Sequence, residues 1–167
     1  LPTKDACVIR KPRGVVLVIS PWNFPLAIGS LWCAAPAIVE GNTVIHKPSE
    51  LTPMVNQMIA ELYEEAGFPA GVFNLVHGGG EQGALLVRSE VDVILFTGSS
   101  EVGQDIRRHC AETFTKTCSV ECGSKSATMV FADGDMSLAV SAAIASSFKL
   151  SGQRCVSSSR ILIERSI

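Results

Sequence analysis

Short apolar runs rich in β-branched residues alternate along the chain with segments of helical periodicity, and this alternation constrains the fold more than any other feature. Neighbouring parallel strands need a long crossover between them, which is usually a helix. The alternation therefore predicts an α/β fold in which an open parallel sheet carries helices on both faces. Strands are predicted near 14–19, 43–47, 72–76 and 92–97, and helices near 26–39, 53–66, 81–89 and 100–112.

Two of the predicted helices carry informative local signals. Pro36 lies inside the first helix, so we expect a kink or break there. The second helix has Thr52 as a candidate cap and Gly67 as a left-handed stop. Its apolar positions share one face and predict a core contact: Met54, Met58, Leu62 and Ala66.

The pattern changes after residue 113 and predicts the beginning of a second α/β domain. Strands are expected at 117–121 and 128–131, followed by an Ala/Ser-rich helix over 136–148. A turn with Gly152 follows, and 160–164 reads as an unfinished strand. We place the domain boundary near 122–126 and expect the chain to be a piece of a longer protein.

Composition excludes several function classes. The 167 residues carry 14 basic and 16 acidic side chains, and neither sign forms a block that could follow a nucleic acid or an anionic membrane. No apolar run reaches the roughly 20 residues that a membrane helix needs, and the first residues lack signal-peptide architecture. We therefore expect a soluble protein with neither nucleic acid nor a membrane as its partner.

The cysteines and histidines do not form a ligand set. The six cysteines are irregularly spaced without a CxxC pair, which predicts neither a zinc site nor a disulfide framework. A reducing compartment fits such thiols, and we predict the cytoplasm, although the mitochondrial matrix meets the same requirement. The histidines show no ligand spacing and are interpreted as structural or exposed: His46, His77 and His109.

A glycine-bearing turn follows the fourth strand. Phe96–Gly103 reads FTGSSEVG, with Gly98 and Gly103 on either side of two serines. Free N–H groups at such a helix start can bind a phosphate. The spacing is neither GxGxxG nor a P-loop, so the alternative is that Gly98 makes a tight turn and Ser99 caps the helix.

Two charged residues follow the second strand, in HKPSE. This edge of an open α/β sheet is where ligands bind. Lys47 and Glu50 could therefore contact ribose hydroxyls from opposite sides, or they could be an ordinary solvated pair.

Three further residues are candidates for chemistry. Asn23 lies in SPWNFP, a rigid turn directly after a strand that reads as buried on both faces. Cys155 follows the cationic Arg154, and nearby positive charge favours a thiolate, but the alternative is an inert core cysteine. Glu121 ends an apolar strand, where it is either a buried carboxylate suited to general-base work or a solvent-facing side chain.

Five motifs in order, PWNFP, HKPSE, FTGSSEVG, ECGSKS and GQRC, resemble those of the NAD(P)-dependent aldehyde dehydrogenase superfamily from about residue 13 to the end. Members are roughly three times as long as this chain, so the chain resembles the middle of such an enzyme. The resemblance implies a Rossmann-like NAD(P)-binding domain over 13–123, the truncated start of the catalytic domain over 124–167, and the end of a preceding segment over 1–12.

The resemblance also implies an oxidoreductase mechanism. Cys155 matches the nucleophile that forms a thiohemiacetal with the aldehyde, and Asn23 matches a donor of the oxyanion hole. Hydride transfer to the nicotinamide leaves a thioester. Glu121 matches the base that activates water to hydrolyse this thioester to a carboxylic acid.

The cofactor contacts carry over in the same way. Trp22 matches a position beside the pyrophosphate, and Lys47 and Glu50 match ribose contacts. Ser99, in the turn between Gly98 and Gly103, matches a pyrophosphate contact, and Val102 matches a residue near the adenine. The Glu50 carboxylate favours a free 2′-hydroxyl, so NAD is preferred, while Lys47 and Ser49 leave NADP open.

Two departures from the family pattern lie near the implied site. Cys122-Gly123-Ser124 stands where Leu-Gly-Gly is usual, and Leu150 stands where an Asn is often found. The alternatives are a coenzyme-A-acylating dehydrogenase, a non-catalytic nucleotide-binding module and an unrelated Rossmann-like protein. We expect the isolated chain to expose apolar surface with little turnover, and the full-length protein to be a homo-oligomer.

Overall fold

The computed structural model describes residues 4–167. Contacts divide the chain into two compact units, of which the first ends at Glu121 and the second comprises Cys122–Ile167. None of the helices within residues 4–167 is long and apolar enough to cross a membrane.

The first unit contains a five-stranded sheet in the order β3-β2-β1-β4-β5. β1 pairs in parallel with β2 and with β4, and β2 pairs in parallel with β3. This arrangement confirms the predicted parallel sheet and all four of its predicted strands. The bounds are β1 Val15–Ile19, β2 Thr43–Lys47, β3 Phe73–Leu75, β4 Val93–Gly98 and β5 Thr117–Cys122.

Helices connect these strands, as the alternation predicts. Each lies within a residue or two of its expected position, apart from the first, which is shorter because a different helical segment precedes it. The bounds are α1 Ala35–Val39, α2 Pro53–Glu65, α3 Gly80–Arg88 and α4 Ser100–Ala111.

The predicted helix over 26–39 is not one uniform α-helix. Ala27–Ala34 is a π-helix, in which the Ala35 N–H reaches back to the Ser30 carbonyl oxygen. Pro36 lies in the first turn of α1, where its missing N–H costs no hydrogen bond. The expected break at Pro36 therefore takes the form of a change in helix type.

The core of the first unit surrounds β1. Val16, Leu17 and Val18 are at most 3% exposed although successive side chains point to opposite faces. Val16 and Val18 cluster with Val44 and Ala34 on one face of the sheet. β1 is thus buried on both faces, as its uninterrupted apolar sequence predicts.

The prediction for the buried face of α2 is wrong. Met54, Met58 and Leu62 are at least 60% exposed, whereas Asn56 and Ile59 are buried. The Thr52 hydroxyl does not cap the helix; instead the Thr52 carbonyl oxygen accepts a hydrogen bond of 2.9 Å from the Asn56 side-chain amide. The spacing of the apolar residues correctly predicted that α2 is a helix. It did not predict which face of the helix the neighbouring elements cover.

The second unit contains a parallel β-α-β arrangement. β6 Ala127–Val130 pairs with β7 Arg160–Ile163, and α5 Met136–Phe148 lies between them in the chain. The Asp135 carboxylate caps α5 by accepting from the Leu138 N–H at 3.0 Å. These elements confirm the two strands and the helix predicted beyond the boundary.

Candidate active site

β1 and β2 end level with each other, and β4 continues two residues further at the same edge of the sheet. Ile19 at the end of β1 is in register with Lys47 on one side and with Phe96 on the other. The sheet order also reverses here, because β2 and β3 extend from one side of β1 while β4 and β5 extend from the other. Such a switch point at the carboxyl ends of parallel strands forms the crevice in which α/β proteins bind ligands.

The turn that contains Asn23 leaves the carboxyl end of β1. Asn23 is half-buried, and Trp22 beside it is 41% exposed. Pro21 and Pro25 restrict the backbone on both sides. The turn leads directly into the π-helix through a hydrogen bond of 3.1 Å from the Ile28 N–H to the Phe24 carbonyl oxygen.

A buried Ser–His pair supports the start of this turn and was missed at the sequence level. Ser20 Oγ lies 2.8 Å from His46 Nε2, and both residues are almost completely buried. The pKa of His46 is lowered to about 4, first by burial and then by the charges of Lys47 and His77. The ring is therefore neutral near neutral pH. Its adjacency to Lys47 in HKPSE was the available signal, but only the sheet register places it beside Ser20.

Lys47 is not a solvated lysine. Its side chain is only 5% exposed, and Nζ donates to the carbonyl oxygens of Pro48 and Gly78 at 2.7 Å each. The Glu50 carboxylate lies 4.0 Å away and is 60% exposed. Burial lowers the pKa of Lys47, and the charge of Glu50 partly opposes this shift. The ammonium group is thus fixed at the sheet edge beside an accessible carboxylate.

At the turn after β4, a glycine and a hydroxyl side chain lie directly before the start of a helix. Ser99 caps α4 by accepting from the Val102 N–H at 3.3 Å, which is the alternative role weighed for this residue. An added Cβ at Gly98 would lie 2.6 Å from the Phe96 ring, so a side chain does not fit there. Gly103 is buried in α4, and Val102 is 47% exposed.

Glu121 is exposed, so the interpretation as a buried carboxylate is wrong. Exposed and half-buried side chains alternate along β5, and Glu121 shares the exposed positions with Thr117 and Ser119. Cys118 and Val120 take the half-buried positions. The period of the strand, rather than its apolar composition, decides where this carboxylate points.

Cys155 belongs to the second unit and is half-buried. Its neighbour Arg154 directs its guanidinium to the carbonyl oxygens of Ala145 and Ser146 in α5, at 3.0 Å each. The cation that the sequence placed beside the thiol therefore anchors the cysteine segment to the last turns of α5. Cationic side chains suit this end of a helix, where carbonyl groups lack intrahelical partners.

A hydroxyl chain holds the residues after Cys155. Ser158 Oγ lies 2.6 Å from Thr128 Oγ1 on β6 and 2.9 Å from Ser146 Oγ on α5. β6 and α5 therefore both contact the segment that carries the thiol.

The turn before the cysteine segment is strained. Leu150 and Ser151 have φ values of 55° and 53°, and Gly152 follows at 72°. Only the glycine adopts this left-handed region without a steric cost. Leu150 is also the position at which the sequence departs from the Asn of the family pattern.

The structure thus assembles one group of candidates and leaves others on separate elements. Within residues 4–167, no group of three or more His, Cys, Asp and Glu side chains is placed to hold a metal ion. Glu121 lies near the end of β5, and Cys155 lies in the second unit. The remaining candidates lie at or just beyond the carboxyl ends of β1, β2 and β4, at one sheet edge: Trp22, Asn23, Lys47, Glu50, Gly98, Ser99, Val102 and Gly103.

Sequence comparison relates this chain to known proteins. A family model described as the aldehyde dehydrogenase family matches residues 2–167. A 2-hydroxymuconic semialdehyde dehydrogenase from a Pseudomonas strain is 42% identical and covers 95% of this chain and 33% of its own length. A betaine aldehyde dehydrogenase from Bacillus subtilis is 43% identical, with 100% of this chain and 34% of that protein covered. The chain spans about a third of the length of these relatives.

Solved structures give the same result. A betaine aldehyde dehydrogenase from Staphylococcus aureus in complex with NAD+ matches with a TM-score of 0.87 and 41% identity, over 93% of this chain and 31% of that chain. An NAD-dependent aldehyde dehydrogenase from Sinorhizobium meliloti matches with a TM-score of 0.89 and 41% identity, over the same shares of the two chains.

Proposed function

Because the chain belongs to the aldehyde dehydrogenase family, we propose that it supplies the cofactor-binding residues and the nucleophile of an enzyme that oxidises an aldehyde to a carboxylic acid with NAD. One observation carries the cofactor part of the proposal. β1 and β2 end level at the switch point of the sheet, and β4 ends two residues beyond them, so three sequence motifs lie at the same crevice edge.

The chemistry of this edge fits a dinucleotide. Lys47 Nζ has three hydrogens and donates two of them to carbonyl oxygens. The third donor and the accessible Glu50 carboxylate, 4.0 Å apart, suit the two hydroxyls of a ribose. The carboxylate favours NAD over NADP, because a 2′-phosphate would be repelled by its charge.

The turn after β4 suits the pyrophosphate. The N–H groups at the start of α4 and the positive end of its dipole attract an anion. Trp22 and Val102, both partly exposed, would contact the pyrophosphate and adenine regions. Bound NAD supplies the hydride acceptor of the reaction.

The reacting groups are proposed from the motif resemblance. Cys155 Sγ, as a thiolate, attacks the aldehyde carbon, and the Asn23 carboxamide donates to the resulting oxyanion. After oxidation, the acyl group remains bound to sulfur as a thioester. Glu121 accepts a proton from the water that attacks the acyl carbon, the C–S bond breaks, and the thiolate is restored with release of the carboxylic acid.

The remaining assignments are parts of the same proposal. Residues 13–123 form the NAD-binding domain and 124–167 the start of the catalytic domain, with 1–12 ending a preceding segment. The complete enzyme acts on a small aldehyde, forms a homo-oligomer and works in the cytoplasm.

The test combines cofactor binding with the reactivity of one thiol. We expect NAD to bind the 167-residue chain and to change the rate at which iodoacetamide alkylates Cys155, located by peptide mass spectrometry. Glu50→Ala should weaken NAD binding. Loss of the Glu50 carboxylate should also raise the affinity for NADP relative to that for NAD. Cys155→Ser should abolish the NAD-dependent alkylation at this position. Cys122→Ser is the matched thiol control and should retain it. An alkylation rate at Cys155 that ignores saturating NAD would contradict the proposal.

Turnover distinguishes hydrolysis from acyl transfer. In the complete enzyme that contains this chain, with betaine aldehyde as a probe substrate, NADH absorbance should rise without coenzyme A. Asn23→Ala should lower kcat about 10²-fold, the usual effect of removing one oxyanion donor. Glu121→Gln should allow one burst of NADH and then stop at the thioester. Product formation that requires coenzyme A would instead favour an acylating dehydrogenase.

A further inference from the structure

Ser20 and His46 form a hydrogen bond that is closed off from solvent. They are 3% and 0% exposed, and Ser20 Oγ lies 2.8 Å from His46 Nε2. His46 Nδ1 is buried without a hydrogen-bond partner among the described residues. A proton on Nε2 then suits the neutral ring best, because Ser20 Oγ accepts that hydrogen and Nδ1 keeps only a lone pair. Burial also prevents either side chain from acting on a substrate directly.

The same imidazole contacts the far end of the segment that Ser20 begins. A Cβ added at Gly29 in the π-helix would lie 2.3 Å from His46 Nε2 and 2.9 Å from Ser20 Oγ. The backbone provides a third attachment, since the Ser20 N–H donates to the Lys47 carbonyl oxygen at 3.2 Å. Both ends of the segment 20–29 are therefore packed on one ring.

Asn23 lies inside this closed segment. We propose that His46 and Ser20 are positioning residues that hold the Asn23 carboxamide in place by fixing both ends of its turn; this rests on the oxyanion role proposed for Asn23. A preorganised donor needs such support, because small displacements of a catalytic group lower the rate strongly. The pair thereby links the HKPSE motif to the PWNFP motif through a side-chain contact.

The test measures the mobility of the Asn23 carboxamide by NMR in the full chain. The signals of its NH2 group are assigned with Asn23→Asp. In Ser20→Ala and in His46→Leu, we expect the side-chain order parameter to fall toward the flexible range, below about 0.6. His46→Gln, which can still donate to Ser20, should restore the rigid value. His109→Leu, on α4, is the matched control and should leave it unchanged.

Turnover gives a second readout that a merely structural role would not produce. In the complete enzyme, Ser20→Ala and His46→Leu should lower kcat about 10-fold with KM for NAD unchanged, a smaller loss than that caused by Asn23→Ala. The proposal is overturned if the folded variants leave the Asn23 order parameter as in the parent chain. If Asn23 becomes mobile while Asn23→Ala keeps full turnover, the positioning role stands and the oxyanion role fails. The NMR measurement requires no turnover, so the two results are independent.

Discussion

At the scale of single residues, the buried imidazole of His46 makes the stability of the protein depend on pH. Its pKa in the folded state is about 4, below the ordinary 6.5, because burial and the nearby charges of Lys47 and His77 disfavour protonation. Between these values the unfolded chain binds a proton that the folded chain does not. The stabilisation is therefore complete above pH 6.5 and is lost as the pH falls toward 4, by about 3 kcal/mol in total.

We expect urea unfolding across this range to reveal that dependence. The free energy of unfolding of the parent chain should fall more steeply with decreasing pH than that of His46→Leu, although the variant also loses its bond to Ser20 at every pH. His109→Leu should keep the parent slope. Equal slopes for the parent and His46→Leu would mean that the pKa of His46 is the same in the folded and the unfolded chain.

Glu121 is exposed in the structure, although burial was one of the two placements that its sequence allowed. Its apolar neighbours favoured burial, but the alternation along β5 puts Glu121 on the exposed side. Its proposed role as a base toward water is compatible with exposure, since the reaction needs access for that water. The general-base assignment therefore depends on the Glu121→Gln measurement and not on burial.

At the scale of elements, the turn between α5 and the cysteine segment stores backbone strain. Leu150 has a φ of 55° and is 51% exposed, so its side chain contributes little burial to offset the conformation. Asn tolerates left-handed backbone far better than Leu. We expect Leu150→Asn to raise the free energy of unfolding by about 0.5–1 kcal/mol.

Thermal unfolding would check this substitution. Leu138→Asn, at an exposed leucine in the helical part of α5, is the control and should not stabilise the protein, because Asn is a poorer helix former than Leu. A lower Tm for Leu150→Asn than for the parent would show that Leu150 makes packing contacts worth more than the strain.

The amphipathic helix α2 marks the limit of periodicity as a guide. Its boundaries follow from Pro53 and Gly67, and its apolar stripe is real. The covered face nevertheless contains Asn56 and Ile59, which lie on a different side of the helix from the methionines. A helical period shows which residues share a face, whereas the buried face depends on where the neighbouring elements lie.

At the scale of the whole molecule, burial is unequal between the two units. The buried apolar side chains in the described part of the chain lie between Val16 and Cys110, and no residue of α5 is buried. Local opening requires less free energy where few apolar contacts must be broken. The second unit is therefore expected to open more readily than the centre of the parallel sheet.

Hydrogen exchange of the intact chain tests this difference. Amides of β1, β2 and β4 should exchange slowest, and amides of β6, β7 and α5 should exchange at least about tenfold faster under the same conditions. Because β6 and β7 are paired, strand amides of the second unit are hydrogen-bonded like those of the sheet in the first unit. The comparison is therefore between like groups. Equal protection would show that the second unit gains stability from contacts beyond its own apolar burial.

The sequence by itself determined the order of the elements and whether each is a helix or a strand. Uninterrupted apolar runs and helix signals depend on neighbours along the chain, which is why β1, β2, α2 and α5 lie where they are predicted. It also placed three of the candidate motifs, PWNFP, HKPSE and FTGSSEVG, at the ends of strands, because chain order alone fixes which residues come after each strand. The family resemblance rests on the same local strings.

Only the tertiary structure decided which of these local features meet. The pairing of His46 with Ser20, the burial of Lys47 and the exposure of Glu121 depend on sheet register and on the elements packed above each strand. The π-helix over Ala27–Ala34 likewise accommodates the approach of Gly29 to the imidazole. These contacts join residues far apart in the chain, and pattern along a sequence contains no direct measure of such distances.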